Sequence, residues 1–125
     1  MNAPSGAFLR NGISRDGGPF AETEHVVWVQ VDDVYADSRG FAGTTSYDGQ
    51  QVTWLREVGP QDVDSGVLTE RDGGLLETGD GYAELWDVLG EGPSGAWAVD
   101  GVRVVRVGEH VVHVDASGGA HLVLS

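Results

Sequence analysis

The chain has no cysteine and no lysine. Without cysteine there is no disulfide frame, no thiolate metal site and no thiol nucleophile. The default compartment is then the cytosol, where thiols would stay reduced. Without lysine there is neither a Schiff-base amine nor a phosphate-loop lysine. All seven basic residues are arginines, which we read as a codon bias toward GC-rich DNA. No apolar run approaches the ~18 residues of a membrane span. The first residues, Met1 to Arg10, lack the basic start and apolar core of a signal peptide.

Several chemical signatures are also missing. No Gly-x-Ser-x-Gly elbow occurs. The glycine runs have no helix after them to cradle a phosphate, and no spaced acidic ladder suggests calcium. On a strand, His110 and His113 would point to opposite faces, so they are not a ready metal pair. His25 and His121 have no recognisable carboxylate partner. No metal and no cofactor is expected.

What is present is acidity, glycine and β-branched residues. Twenty acidic residues give a net charge of −13 over 125 residues. That charge repels nucleic-acid backbones and anionic membranes, so neither is an expected partner. A hydrophobic content of 40% suits one domain with an ordinary core.

Residues 1–19 are rich in Gly, Pro, Ser and Asn and read as a loose N-terminal arm, with Ala7-Phe8-Leu9 as its one short strand. Residues 20–125 read as a single β-barrel domain. His25 to Ala36 is β-branched and aromatic, the pattern of one long strand. Arg39–Tyr47 and Gln50–Val58 follow as strands around Asp48-Gly49, a tight hairpin turn. Val63–Glu70 and Leu75–Thr78 form another hairpin, and Tyr82–Leu89 is the next strand. Ala96–Val99, Val102–Val107, His110–Val114 and Ala120–Leu124 are short strands between glycine turns. The spacing predicts about nine or ten short strands with little helix. Sequential hairpins favour an antiparallel up-and-down barrel, whose closure removes exposed edges.

Residues of equal parity share a sheet face. Three strands then place polar groups beside large rings: Trp28 with Gln30, Trp54 with Arg56, and Tyr82 and Trp86 with Glu84. This pattern suits a cavity, where rings supply contact area and a few polar groups orient a ligand. It equally suits a rim, or a buried Arg56–Glu84 pair without a ligand. Val27, Val29 and Val31 occupy the other face of the first strand. With apolar residues on both faces, parity alone leaves open which one lines the barrel.

The series Trp28-x-Gln30, Tyr35-x-Asp37, Arg39, Gly40-Phe-Ala-Gly43, Trp54-x-Arg56, Asp64-x-Gly66, Glu77-x-Gly79, Tyr82-x-Glu84-x-Trp86 resembles a family of small uncharacterised bacterial proteins. That family is similar to a domain of a fungal protein of unknown role. The resemblance covers residues 9–89 and implies a lipocalin-like (calycin) barrel without implying an activity. Only Ser38-Arg39 stands where the family carries a longer insertion, so a loop over the barrel mouth is expected to be missing. The region after Leu89 carries no part of the resemblance.

Three functions follow as expectations. One is a module that binds a partly apolar small organic molecule, with Trp28, Trp54, Tyr82 and Trp86 as walls and Gln30, Arg56 and Glu84 orienting it. Another is a cofactor-free cyclase or isomerase of secondary metabolism, with Glu84 as acid/base and Arg56 as oxyanion partner. The third is a homodimeric interaction module, joined through the otherwise wet Val27/Val29/Val31 face.

Overall fold

The computed structural model describes residues 5–60 and 63–124. Among them the chain forms twelve β-strands and no helix: β1 (Gly6–Arg15), β2 (Val27–Val31), β3 (Val34–Asp37), β4 (Phe41–Asp48), β5 (Gln51–Val58), β6 (Val63–Arg71), β7 (Gly74–Gly79), β8 (Tyr82–Gly90), β9 (Ser94–Val99), β10 (Val102–Val107), β11 (His110–Asp115) and β12 (Gly118–Val123). The first eight close an antiparallel barrel in chain order, with β8 returning to β1. The up-and-down topology expected from the hairpin spacing is therefore present. The last four strands form a separate sheet in the order β12-β11-β10-β9.

Three expectations need correction. Gly6–Arg15 is a barrel strand, not a loose arm; it pairs with both β2 and β8 and supplies the closure. Residues 1–4 of the expected arm lie outside the described residues. The strand was hidden by its Gly, Ser and Asn, but Ala7 and Phe8 are buried on opposite faces and Arg10 points inward to an ion pair. The long strand over His25–Ala36 is instead the β2–β3 hairpin, turned at Asp32-Asp33. Asp32 takes a positive φ of 51°, a conformation that short polar side chains tolerate. Lastly, the barrel ends at Gly90, and the remaining strands lie against its outside.

The fold also resolves the two apolar faces. Trp28 and Gln30 point into the barrel. Val27 and Val29 point outward, yet both are fully buried. They pack with Ala7, Ala36 and Ala42 against Val105, Val107, Val112 and Val114 of β10 and β11, and Val31 packs at the edge of the same cluster. The face expected to join two subunits is covered by the chain's own C-terminal sheet. A second cluster fills the barrel around Phe8, Trp28, Trp54, Leu68 and Trp86.

Candidate functional site

The barrel is packed through its middle and has a hollow at each end; the one of about 250 Å³ beside Phe8, Gly74, Leu75 and Gly90 lacks the ring wall of the other. Phe8, Val52, Leu68 and Leu75 pack the interior between the two. A cavity of about 220 Å³ occupies the other end, where β3, β5 and β7 finish and β4, β6 and β8 begin. Of the expected site residues, Trp28, Trp54, Arg56, Tyr82, Glu84 and Trp86 line this cavity together. Gln30 does not. It is fully buried beneath, accepting from the Trp28 Nε1–H at 3.1 Å and the Thr45 hydroxyl at 3.1 Å while donating to the Asp32 carbonyl at 2.8 Å. Its amide is spent on fixing the Trp28 ring.

The indoles form one connected wall. Trp28 stacks on Phe8 with ring centres 4.7 Å apart. It meets Trp54 edge-on at 5.8 Å and Trp86 edge-on at 5.5 Å. These are geometries that aromatic quadrupoles favour. Phe41 completes the apolar lining, with the Arg56 guanidinium 4.0 Å and the Arg39 guanidinium 5.0 Å from its ring centre.

Most of the polar lining is already paired. Arg10, only 4% exposed, donates to both oxygens of Glu22 and to Glu84 Oε2 at 3.0 Å. Arg39 holds Asp37 with two hydrogen bonds of 3.0 and 2.8 Å. Arg56 pairs with Asp64. Glu84 is thus the partner of Arg10, and Arg56 the partner of Asp64; the two do not pair with each other.

Glu77 and Glu84 stand directly opposite across β7 and β8. Glu77 has no guanidinium in hydrogen-bonding contact; it accepts from the Tyr82 hydroxyl at 2.6 Å and from the Trp86 Nε1–H at 3.2 Å. Burial, and next the nearby Glu84 charge, push its carboxyl up to about 7. Burial and the Glu77 charge likewise push the Tyr82 hydroxyl up. Gly79 makes this contact feasible. A Cβ there would lie 2.1 Å from the Tyr82 ring, so only glycine lets that ring lie across β7 and deliver its hydroxyl to Glu77.

Two buried polar groups in the lining have no hydrogen-bond partner: the Tyr35 hydroxyl and the Arg56 Nε–H. They are neighbours because of Gly43. That residue pairs with Tyr35 on one side and Arg56 on the other, and it places no side chain between them. Burial raises the Tyr35 hydroxyl, against the opposing field of Arg56, whose guanidinium also lies within hydrogen-bonding reach of the Tyr35 oxygen. The hydroxyl proton itself is donated to no side chain or carbonyl.

Tyr35, Asp37, Arg39, Phe41, Asp64 and Glu77 are wall residues that the aromatic–polar parity did not select, although each lies in the motif series quoted above. Glu77 shares its strand face with Leu75, so it was legible as an inward carboxyl once β7 and β8 were aligned. Among the described residues, no group of three or more His, Asp or Glu side chains is placed to hold a metal ion. The chain matches no protein-family model, no curated protein and no solved structure.

Proposed function

We propose that this protein is a small-molecule-binding barrel of lipocalin-like design, which holds a partly apolar organic ligand at the tryptophan-lined end. The observation that carries this reading is the hollow itself. A close-packed interior leaves few voids larger than a water molecule, yet here about 220 Å³ stands open between three indoles and a set of buried polar groups. That is roughly seven waters' share of liquid volume at ~30 Å³ each. It suits a compact molecule about the size of one substituted ring.

Titration with small ring compounds, read by the intrinsic fluorescence of the tryptophans, tests the proposal. Binding should change emission saturably, and Trp54→Leu should remove most of the change while leaving the circular dichroism intact. A flat response across such a panel, joined to native mass spectra that show only the bare chain, would remove the reading.

Glu77 favours a second reading, a cofactor-free isomerase or cyclase. A carboxyl near pKa 7 can take a proton from a bound carbon acid and return it at neutral pH. This moves the acid/base role from Glu84, which is committed to Arg10, to Glu77.

A further inference from the structure

The Tyr35 hydroxyl is the most informative loose end in the molecule. Tyr35 is 1% exposed, lines the cavity and donates to nothing. Leaving such a donor unpaired costs about 1–3 kcal/mol of desolvation. The Arg56 Nε–H beside it is in the same condition. Arg56 lies within hydrogen-bonding reach of the Tyr35 oxygen, which can accept from it but leaves the hydroxyl proton undonated. Buried donors are paired in most proteins, so this undonated proton facing the hollow implies an acceptor that enters from outside.

Both groups can donate, and the guanidinium cannot accept, so the incoming atom is an acceptor oxygen. The charge balance around it decides what kind. Asp37 holds Arg39, Asp64 holds Arg56, and Glu22 and Glu84 hold Arg10. Arg15, also in the lining, has no carboxylate partner among the described residues, but Glu77 adds a further acid. The four guanidiniums of Arg10, Arg15, Arg39 and Arg56 thus stand against the five carboxyls of Glu22, Asp37, Asp64, Glu77 and Glu84, with no net excess of positive charge. A carboxylate ligand would meet no surplus positive charge. A neutral carbonyl oxygen needs only the two free N–H and O–H bonds. The remainder of the ligand meets Phe41, Trp54 and Trp86, which favour a flat ring.

We infer that the cavity selects a neutral, ring-bearing carbonyl compound, a ketone, aldehyde or amide, whose oxygen accepts from Tyr35 Oη and Arg56 Nε. The inference rests on the binding-barrel reading and narrows it to a ligand class.

Three probes of similar shape separate the cases: acetophenone, ethylbenzene and benzoate. Affinities are measured by calorimetry, and acetophenone labelled with carbon-13 at the carbonyl reports hydrogen bonding by its NMR shift. Acetophenone should bind at least tenfold more tightly than either companion, with its carbonyl resonance moved downfield. Tyr35→Phe should reduce acetophenone affinity about tenfold, the usual worth of one buried hydrogen bond. It should leave ethylbenzene unaffected and reverse most of the downfield shift. The ethylbenzene result also certifies that the variant's cavity is intact, and the wild-type ranking tests selectivity even if the variant fails to fold. Equal binding of acetophenone and ethylbenzene would overturn the inference and leave the binding reading standing. Tightest binding of benzoate would overturn it in favour of an anion site. Binding of none of the three at millimolar concentration would remove both.

Discussion

Glu77 and Glu84 share one rung of the β7–β8 ladder, but only Glu84 has a guanidinium in contact. Removing Arg10 would leave Glu84 without its hydrogen-bonded cation and with only Arg39 Nη1 at 3.9 Å, a loss approaching the ~3–5 kcal/mol of a broken buried pair. Glu77 carries the opposite liability, because burial raises its carboxyl from 4.5 to about 7. Between those two pH values the folded chain keeps a proton that the unfolded chain releases. Stability from this group is therefore complete below pH 4.5 and is lost as pH rises through 7, by on the order of 3 kcal/mol. Glu77→Gln should abolish the slope. Its amide can donate to the Tyr82 oxygen and accept from Trp86, so the local network survives. Urea denaturation from pH 4.5 to 8 should show the variant gaining on the wild type up to pH 7 and level beyond; a constant difference would mean Glu77 does not titrate there. Period-two alternation made Trp28, Trp54, Tyr82, Glu84 and Trp86 legible, because a strand face needs only parity. Glu77, Tyr35 and Arg10 were not, since their meaning comes from the strand placed beside them, and no single strand records its neighbour.

Individual elements were more readable than their partners. Each hairpin turn of the last four strands was visible in its glycines, yet nothing local said that those strands leave the barrel and cover β2. The same packing unites three of the four histidines. His121 on β12 is 3.0 Å from His25, just before β2, through Nδ1, and 3.0 Å from His110 on β11 through Nε2. The rings stack with centres 5.2 Å apart in both pairs. Glu109 Oε1 lies 4.0 Å from His110 Nε2 at the end of the row. A row of imidazoles joined end to end can be uncharged or carry one proton in excess; a second excess proton leaves two N–H groups facing each other. Burial, and then the fields of His110 and His25, lower His121 below 6.5. The unfolded chain consequently binds this proton first, and the stability His121 contributes is lost as pH falls from 6.5 through its lower folded value. The windows of His121 and Glu77 overlap with opposite sign, so Glu77→Gln is the background in which to see the histidines. There, amide exchange of β12, corrected for intrinsic rate, should quicken between pH 7.5 and 5.5 ahead of the barrel strands. If β12 keeps step with them, the row does not fasten the sheet.

At the scale of the whole molecule, two apolar clusters share β1, β2 and β3. Alternate residues of β2 serve each in turn: Val27 and Val29 face the C-terminal sheet, and Trp28 faces the barrel interior. This division explains why the first strand was apolar on both sides and why parity could not choose an inward face. It also means that the outer cluster can be broken without touching the ring wall. Val112 is fully buried in that outer cluster. Val112→Asp would place an unpaired carboxylate there, and undocking the sheet relieves a penalty of several kcal/mol. The barrel side of the seam, including Val27, Val29 and Ala36, would then be wet. Such a patch promotes association, so light scattering should show the variant as dimers or larger species even though the wild-type face is covered. The near-ultraviolet dichroism of the Trp28–Trp54–Trp86 group should persist, because its contacts lie on the far side of the same strands. Loss of that signal together with the sheet would mean the two clusters fold as one unit, with the C-terminal strands supporting the cavity rather than only sheltering the barrel's outer wall.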